Sequence, residues 1–380
     1  MSQINPFTID IDEEVLVDLR ARISSTRWPD AEVVDDWSQG MPLDYAKDLA
    51  TYWAESYDWR AREAYHNRLP QFMTEIDGID VHFIHVRSQH SDARPLIISH
   101  GWPGSVVEFH KVIEPLVDPV KHGGNAADAF HVVCPSLVGY GFSSAATEPG
   151  FGVDKMAEMW AELMARLGYD RYFAQGGDWG SMITTLVSLL DPDHCAGIHL
   201  NMPVAGPDPD TLADLTPDES AALERLTYYD QWDSAYFKQQ STRPQTLGYA
   251  LADSPVGQMC WIVEKFWSWT DCDGHPENVL SRDEMLDNVM FYWVTNTATS
   301  SARLYWESAR NTSLGEVPGP TACSRFPLEI LGTSRRWAAK RFTDIRYWND
   351  LEKGGHFAAF EQPEIFVDEL RRAFAAIEGD

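Results

Sequence analysis

Positive charge is what this chain lacks most. Its 380 residues hold 30 lysines and arginines against 58 aspartates and glutamates, a formal net charge of -28. Nucleic acids and anionic membrane surfaces recruit partners through clustered cations, so this balance argues against either as a ligand. Cysteine is scarce as well. Cys134, Cys195, Cys260, Cys272 and Cys323 are odd in number and form no C-x-x-C or Cys/His ligand pattern. No disulfide framework, metal site or cofactor is therefore expected, and the five read as small buried hydrophobes in a reducing cytoplasm. No apolar run reaches the roughly 20 residues that a membrane span needs. Met1 to Glu14 carries acids where a secretion signal would carry basic and apolar residues. With 44% hydrophobic and 23% charged residues, the composition is that of a soluble globular protein.

A further absence is chemical. Gly176-Gly177-Asp178-Trp179-Gly180 fits the nucleophile elbow Gly-x-Nu-x-Gly, yet holds no serine. Small residues in that frame let a strand turn abruptly into a helix. Tyr172-Phe173-Ala174 before it reads as a buried strand, and Met182 to Val187 after it as a buried helix. A helix N-terminus beneath Asp178 favours the ionised carboxylate. Serine attacking a saturated carbon would leave a stable ether, whereas a carboxylate leaves an ester that water can open. Asp178 therefore points to an electrophilic sp³ carbon, an epoxide or an alkyl halide. A serine enzyme finds little support: Gly141-Phe142-Ser143-Ser144-Ala145 lacks the final glycine of the motif.

The organisation around the elbow is that of an α/β protein. Residues 1–80 form an N-terminal segment rich in tryptophan, arginine and acids, with a helix expected after Asp12. Short buried runs (Val81 to Val86, Leu96-Ile97-Ile98, His131 to Cys134, Tyr172 to Ala174, Ala196 to Leu200) alternate with helix-length segments. That alternation predicts a parallel α/β sheet. The core then divides into 81–205 and 315–380, separated by a helical insert at 206–314. Pro203 to Pro209 opens the insert and the Gly/Pro run from Gly315 to Pro320 closes it. Thr216-Pro217-Asp218-Glu219 and Ser281-Arg282-Asp283-Glu284 are capping boxes inside it. Such an insert between the sixth and seventh strands forms a lid.

In an α/β hydrolase the chain order is nucleophile, acid, histidine. His356, in Gly354-Gly355-His356-Phe357 after the last strand, is the candidate base. It cannot activate an already charged carboxylate, so its work falls on water, for which it must be neutral. Glu329 is a carboxylate in the apolar run Phe326 to Leu331, which implies a partner. It is the candidate orienting acid, against an ion pair with Arg335 or Arg336, and Asp344 and Asp350 compete for the role. Asn201, after the sixth strand, cannot supply the charge. His100-Gly101-Trp102-Pro103-Gly104 follows the third strand, so the Trp102 and Trp179 amides are candidates for an oxyanion hole. His100 reads as a structural residue holding that turn. The leaving group discriminates between substrates. A halide needs no proton, whereas an epoxide oxygen becomes an alkoxide that a phenol of pKa about 10 can protonate. Tyr236, placed near the end of the helix begun at Thr216, and Tyr305 lie in the insert. Spacing alone does not single them out from 14 tyrosines.

These strings together resemble the microsomal-type epoxide hydrolases, including insect juvenile hormone epoxide hydrolases and soluble fungal and bacterial members. The likeness covers nearly the whole chain, from Pro6-Phe7-Thr8-Ile9 and Arg27-Trp28-Pro29-Asp30 to the closing Gly354 to Phe360. It includes the HGWPGS string at His100 to Ser105, Ser241-Thr242-Arg243-Pro244 and Asp253 to Gly257. The resemblance implies an α/β-hydrolase fold with an N-terminal meander, and Asp178 as nucleophile. It implies His356 as base, Glu329 as orienting acid, Tyr236 and Tyr305 as proton donors, and Trp102 and Trp179 at the oxyanion hole. It further implies a cis bond before Pro103, and an apolar epoxide and water as reactants without a cofactor. Val138 and Ser334 stand where the family usually has proline. A haloalkane dehalogenase sharing the Asp elbow is the nearest alternative, and a catalytically silent ligand binder a more distant one. Dimerisation through the lid is left open.

Overall fold

Strands form where β-branched and apolar residues cluster between turn residues, and nine of them make one sheet in the computed structural model, which describes residues 3–310 and 315–379. They are β1 (Asn5–Phe7), β2 (Gln71–Ile76), β3 (Ile79–Val86), β4 (Arg94–Ser99), β5 (Phe130–Pro135), β6 (Tyr172–Gly176), β7 (Cys195–Leu200), β8 (Val317–Arg325) and β9 (Phe342–Asp350). Their order across the sheet is β1-β2-β3-β5-β4-β6-β7-β8-β9. The expectation of a parallel sheet holds from β5 to β9. The β1–β2, β2–β3 and β3–β5 pairings are antiparallel; for β2 and β3 the Asp77-Gly78 turn is too short for a crossover. Central strands β6 and β7 are buried along their whole length, as strands covered by helices on both faces must be. The helices Val153–Arg166 and Asp178–Leu190 pack as one pair, and His110–Val117 with Pro363–Glu378 as another.

Between β7 and β8 the described residues form six α-helices, Pro217–Tyr228, Ala235–Thr242, Pro244–Asp253, Pro255–Trp269, Arg282–Trp293 and Ala298–Ser308. Counted from β2, that is the interval between the sixth and seventh strands. Both capping boxes form. The insert's expected end at residue 314 lies outside the described residues. The N-terminal segment binds it down: Arg62 and Tyr57 both donate to the buried Asp287 of Arg282–Trp293.

Four details differ from the sequence reading. Asp12 precedes the helix Glu13–Ser24, but its side chain makes no capping bond. Strand β8 begins at Val317, inside the Gly/Pro run read as a break; a register shift between Val317 and Pro320 accommodates the prolines. Tyr236 is not on the helix begun at Thr216. That helix stops at Tyr228, a π-helical turn follows at Tyr229–Asp233, and a new helix starts at Ala235. The break is enforced by Asp233, whose carboxylate is drawn inward by Lys265 Nζ at 2.6 Å, Trp269 Nε1 at 2.6 Å and Ser268 Oγ at 3.0 Å. Of the five cysteines, Cys260 is only partly buried. Among the described residues, no helix is long and apolar enough to cross a membrane.

Candidate active site

The turn from β6 into the helix Asp178–Leu190 leaves no room for a side chain at its flanking glycines. A Cβ on Gly176 would lie 2.0 Å from the Gly180 carbonyl oxygen, and one on Gly180 would lie 2.0 Å from that of Ser99. Asp178 itself takes φ +48°, a left-handed conformation that costs a non-glycine residue roughly 1–2 kcal/mol. Strain of this kind persists only where the surroundings enforce it. Here the packed glycines do so, and the carboxylate stands clear at the C-terminal end of the sheet.

Three elements converge on it. Asp178 Oδ1 accepts a hydrogen bond from the Trp102 amide at 2.8 Å. This amide belongs to the turn after β4, where the Trp102–Pro103 bond is cis. A Cβ on Gly101 would collide with the carboxylate at 2.0 Å, so the close approach requires glycine there. The turn is held from both sides. His100 Nδ1 bonds the Gly101 carbonyl at 2.9 Å while its Nε2 meets the Leu137 amide at 3.2 Å. Burial pushes His100 down to about 4, consistent with a neutral ring that donates at Nδ1 and accepts at Nε2. From the insert, Asn288 Nδ2 donates to the Pro103 carbonyl at 2.7 Å and Tyr292 Oη to that of Gly104 at 2.6 Å. The Trp179 amide lies in the first turn of the elbow helix, where backbone N–H groups have no intrahelical acceptor.

His356 enters from the loop after β9. Its Nε2 stands 3.4 Å from Asp178 Oδ2, and its Nδ1 bonds Glu329 Oε1 at 2.7 Å. Glu329 is 1% exposed, and its Oε1 also accepts the Ile330 amide at 2.8 Å. Burial pulls the imidazole down, but the Glu329 and Asp178 carboxylates outweigh it and hold His356 well above the usual histidine range. The competing assignments are otherwise engaged: Arg336 pairs with Glu219, Asp344 with Arg346, and Asp350 with Arg325. Ser143 is a turn holder, donating to the Ser136 carbonyl at 2.8 Å.

Two cavities meet at Asp178. One, of about 170 Å³, lies under the insert and is walled by Trp179, Met182, Met202, Val204, Phe237 and Leu331, with Tyr229, Tyr236 and Tyr305 among its lining residues. The Tyr236 ring stacks on Trp102 at 4.9 Å, and the Tyr305 ring meets Trp179 edge-on at 4.9 Å. Tyr305 Oη is buried and finds no hydrogen-bond partner among the described residues. The other cavity, of about 20 Å³, lies on the sheet side and is bordered by Asp178, His356, Glu108, Gly101 and Asn201. That volume suits about one water molecule. Glu108 is partly buried and borders this small chamber. Burial, reinforced by Asp178 and opposed by His356, pushes its carboxyl up to about 8.

Known proteins match nearly the whole of this chain. Epoxide hydrolase 1 of Sus scrofa is 36% identical over 408 residues, covering 99% of this chain and 89% of its own. The chain belongs to the epoxide hydrolase family. An inferred epoxide hydrolase of Stigmatella aurantiaca (strain DW4/3-1) is 51% identical, with 98% of this chain and 84% of its own length matched. A family model described as epoxide hydrolase N terminus matches residues 4–109, and one described as alpha/beta hydrolase fold matches 94–259. Among solved structures, juvenile hormone epoxide hydrolase from the silkworm Bombyx mori superposes with a TM-score of 0.92 at 30% identity, over 100% of this chain and 96% of its own. Aspergillus niger epoxide hydrolase does so with 0.89 at 31% identity, over 99% and 97%.

For this epoxide hydrolase family member, the residues singled out in the sequence, Asp178, His356, Glu329, Tyr236, Tyr305, Trp102 and Trp179, all lie at one locus. Two neighbours escaped notice. Tyr229 places its Oη 2.8 Å from that of Tyr236, and Glu108 faces the small chamber. Ser334, where the family usually has proline, caps the short helix Arg335–Ala338 with its hydroxyl.

Proposed function

We propose that this enzyme opens apolar epoxides to vicinal diols through an ester on Asp178. The reading rests above all on one arrangement: a single carboxylate between an apolar, phenol-bearing cavity and a one-water chamber holding an imidazole. In the first half-reaction an Asp178 oxygen attacks a ring carbon from the side opposite the ring oxygen. The C–O bond breaks as the Asp178–carbon bond forms, and a phenol of the Tyr236/Tyr305 pair supplies a proton to the departing oxygen. The free Tyr305 hydroxyl is available to donate a hydrogen bond to that oxygen.

The ester then changes the electrostatics of its neighbour. Alkylation removes the Asp178 charge, one of the two anions that hold His356 protonated. The imidazole loses its proton and becomes a base for water in the small chamber. Water adds to the ester carbonyl, its proton passes to His356 Nε2, and Glu329 holds the ring through Nδ1. The Trp102 and Trp179 amides stabilise the tetrahedral oxyanion. Collapse releases the diol and restores Asp178 as carboxylate and His356 as imidazolium. One water is consumed and no net proton.

A single turnover in ¹⁸O-labelled water tests the mechanism. The label should enter the Asp178 carboxyl, read by peptide mass spectrometry, while the first diol stays unlabelled. Label confined to the diol would mean direct attack by water. Halide release from chloroalkanes at rates matching epoxide opening would instead favour a dehalogenase.

A further inference from the structure

The two insert phenols are not equivalent. Tyr305 Oη has no hydrogen-bond partner among the described residues, whereas Tyr236 Oη is bonded to Tyr229 Oη at 2.8 Å. Tyr236 is buried, with its ring stacked on Trp102 and Lys265 Nζ 5.0 Å from its centre, so its hydroxyl is held in place. Tyr229 is only half-buried and opens the π-helical turn that interrupts the insert's helices. Turns of this kind are rare and recur at functional sites.

Proton conservation gives this pair a task. In the reading proposed above, the ring oxygen keeps the proton it receives, because it leaves as a diol hydroxyl. The phenol that gave it is left as phenolate in an apolar cavity, while His356 sheds a proton elsewhere in the same cycle. A buried phenolate with no route to a proton would stall the enzyme.

We propose that Tyr229 is a relay residue that acts through Tyr236: as Tyr236 gives its proton to the ring oxygen, the Tyr229 proton moves onto Tyr236. The negative charge then rests on Tyr229, the less buried of the two residues, where water can restore the proton that His356 releases. The bonds balance, since two O–H bonds break and two form. The electrostatics of the pair agree with this direction. Burial raises both phenols, but their mutual hydrogen bond lowers Tyr229 and raises Tyr236, so charge settles on Tyr229. Tyr305, without such a partner, serves as a fixed hydrogen-bond donor to the same oxygen.

The inference rests on the aspartyl-ester reading, and the test separates the two. Alkylation and ester hydrolysis are timed in single turnovers with styrene oxide as the probe, for the wild type, Tyr229→Phe, Tyr236→Phe and the double variant. Tyr229→Phe should slow alkylation about 10-fold and leave ester hydrolysis unchanged. In the Tyr236→Phe background it should have no effect, because its action passes through the missing hydroxyl. In H₂O/D₂O mixtures, alkylation should depend on deuterium fraction along a curve in the wild type and along a line in Tyr229→Phe, two protons having become one. A wild-type alkylation rate in Tyr229→Phe overturns the relay, and so does an equal loss in both half-reactions. A loss that persists without Tyr236 assigns Tyr229 to packing and overturns it too. If Tyr236→Phe alkylates normally the relay alone falls; if no ester is ever trapped the parent reading falls and takes the relay with it.

Discussion

The two cavities that meet at Asp178 are opposite in size and chemistry. The insert side offers about 170 Å³ walled by tryptophan, methionine, phenylalanine and leucine; the sheet side offers about 20 Å³ bordered by Glu108, His356 and Asn201. The larger gains free energy by taking apolar surface out of water, and the smaller has polar partners to hold a water molecule. In the mechanism proposed above, an epoxide and the water that finishes its hydrolysis need these opposite environments, yet both must reach one carboxyl group. On that proposal, Asp178 in the wall between them meets each reagent from its own side. The walls also differ in origin. The polar chamber is bordered by the core alone, whereas the apolar one is shared between the core, through Trp179, Met182, Met202 and Leu331, and the insert, through Tyr229, Tyr236, Phe237 and Tyr305.

The sharpest way to break this comparison is to remove the shared wall. Asp178→Asn keeps the side-chain shape and tolerates the left-handed backbone. It should lower turnover about 10⁴-fold or more, with melting temperature close to the wild type's. A folded variant that still turns over would strip Asp178 of its role. A second pair of variants asks whether the cavities serve different half-reactions. His356→Gln should block ester hydrolysis about 10³-fold while alkylation proceeds, so the ester accumulates and can be weighed by mass spectrometry. Tyr305→Phe should slow alkylation on the order of 10-fold to 100-fold and leave ester hydrolysis alone. If both variants slow the same half-reaction, the division between the cavities is wrong.

A smaller effect sharpens the polar side. Burial lowers His356, and the Glu329 carboxylate is the first of the groups that raise it. In Glu329→Gln burial regains the upper hand, so the imidazole loses its proton at lower pH. The acid limb of ester hydrolysis should move to lower pH, and the plateau rate should fall about 10-fold to 100-fold as the ring loses its orientation. An unmoved acid limb would mean that another group sets the charge on His356.

What the sequence made legible follows the same division. The sheet-side residues are tied to backbone geometry, and geometry writes local patterns. Gly176 and Gly180 must be glycine because a Cβ would strike a carbonyl oxygen, so Asp178 stands inside a recognisable frame. Glu329 could be picked out because a carboxylate in an apolar run needs a partner, and His356 because chain order puts a histidine after the last strand. The insert's phenols carry no such mark. Tyr236 and Tyr305 were picked out of 14 tyrosines by family resemblance alone. The helix carrying Tyr236 was misdrawn because what ends its predecessor is Asp233 bonding to Lys265, Ser268 and Trp269, which lie 32 to 36 residues away. Tyr229 was invisible for the same reason. Glu108 gave no signal either, since Val106-Val107-Glu108-Phe109 reads as an ordinary amphipathic turn and only the fold brings Glu108 to the chamber beside Asp178.

Glu108 also gives the smallest effect and the one least dependent on any substrate. Its ordinary value is 4.5 and burial pushes it up to about 8 in the folded protein. Between those values the folded state binds the proton more tightly than the unfolded chain does. Stability from this group is therefore complete below pH 4.5 and is lost as pH rises through 8. Glu108→Gln cannot ionise and escapes that loss. Relative to the wild type, the variant should gain about 1–3 kcal/mol on going from pH 5 to pH 8.5, measured by urea unfolding at both. An equal difference at the two pH values would show that the carboxyl is already ionised in the folded enzyme, and the chamber beside Asp178 would then be far wetter than its walls imply.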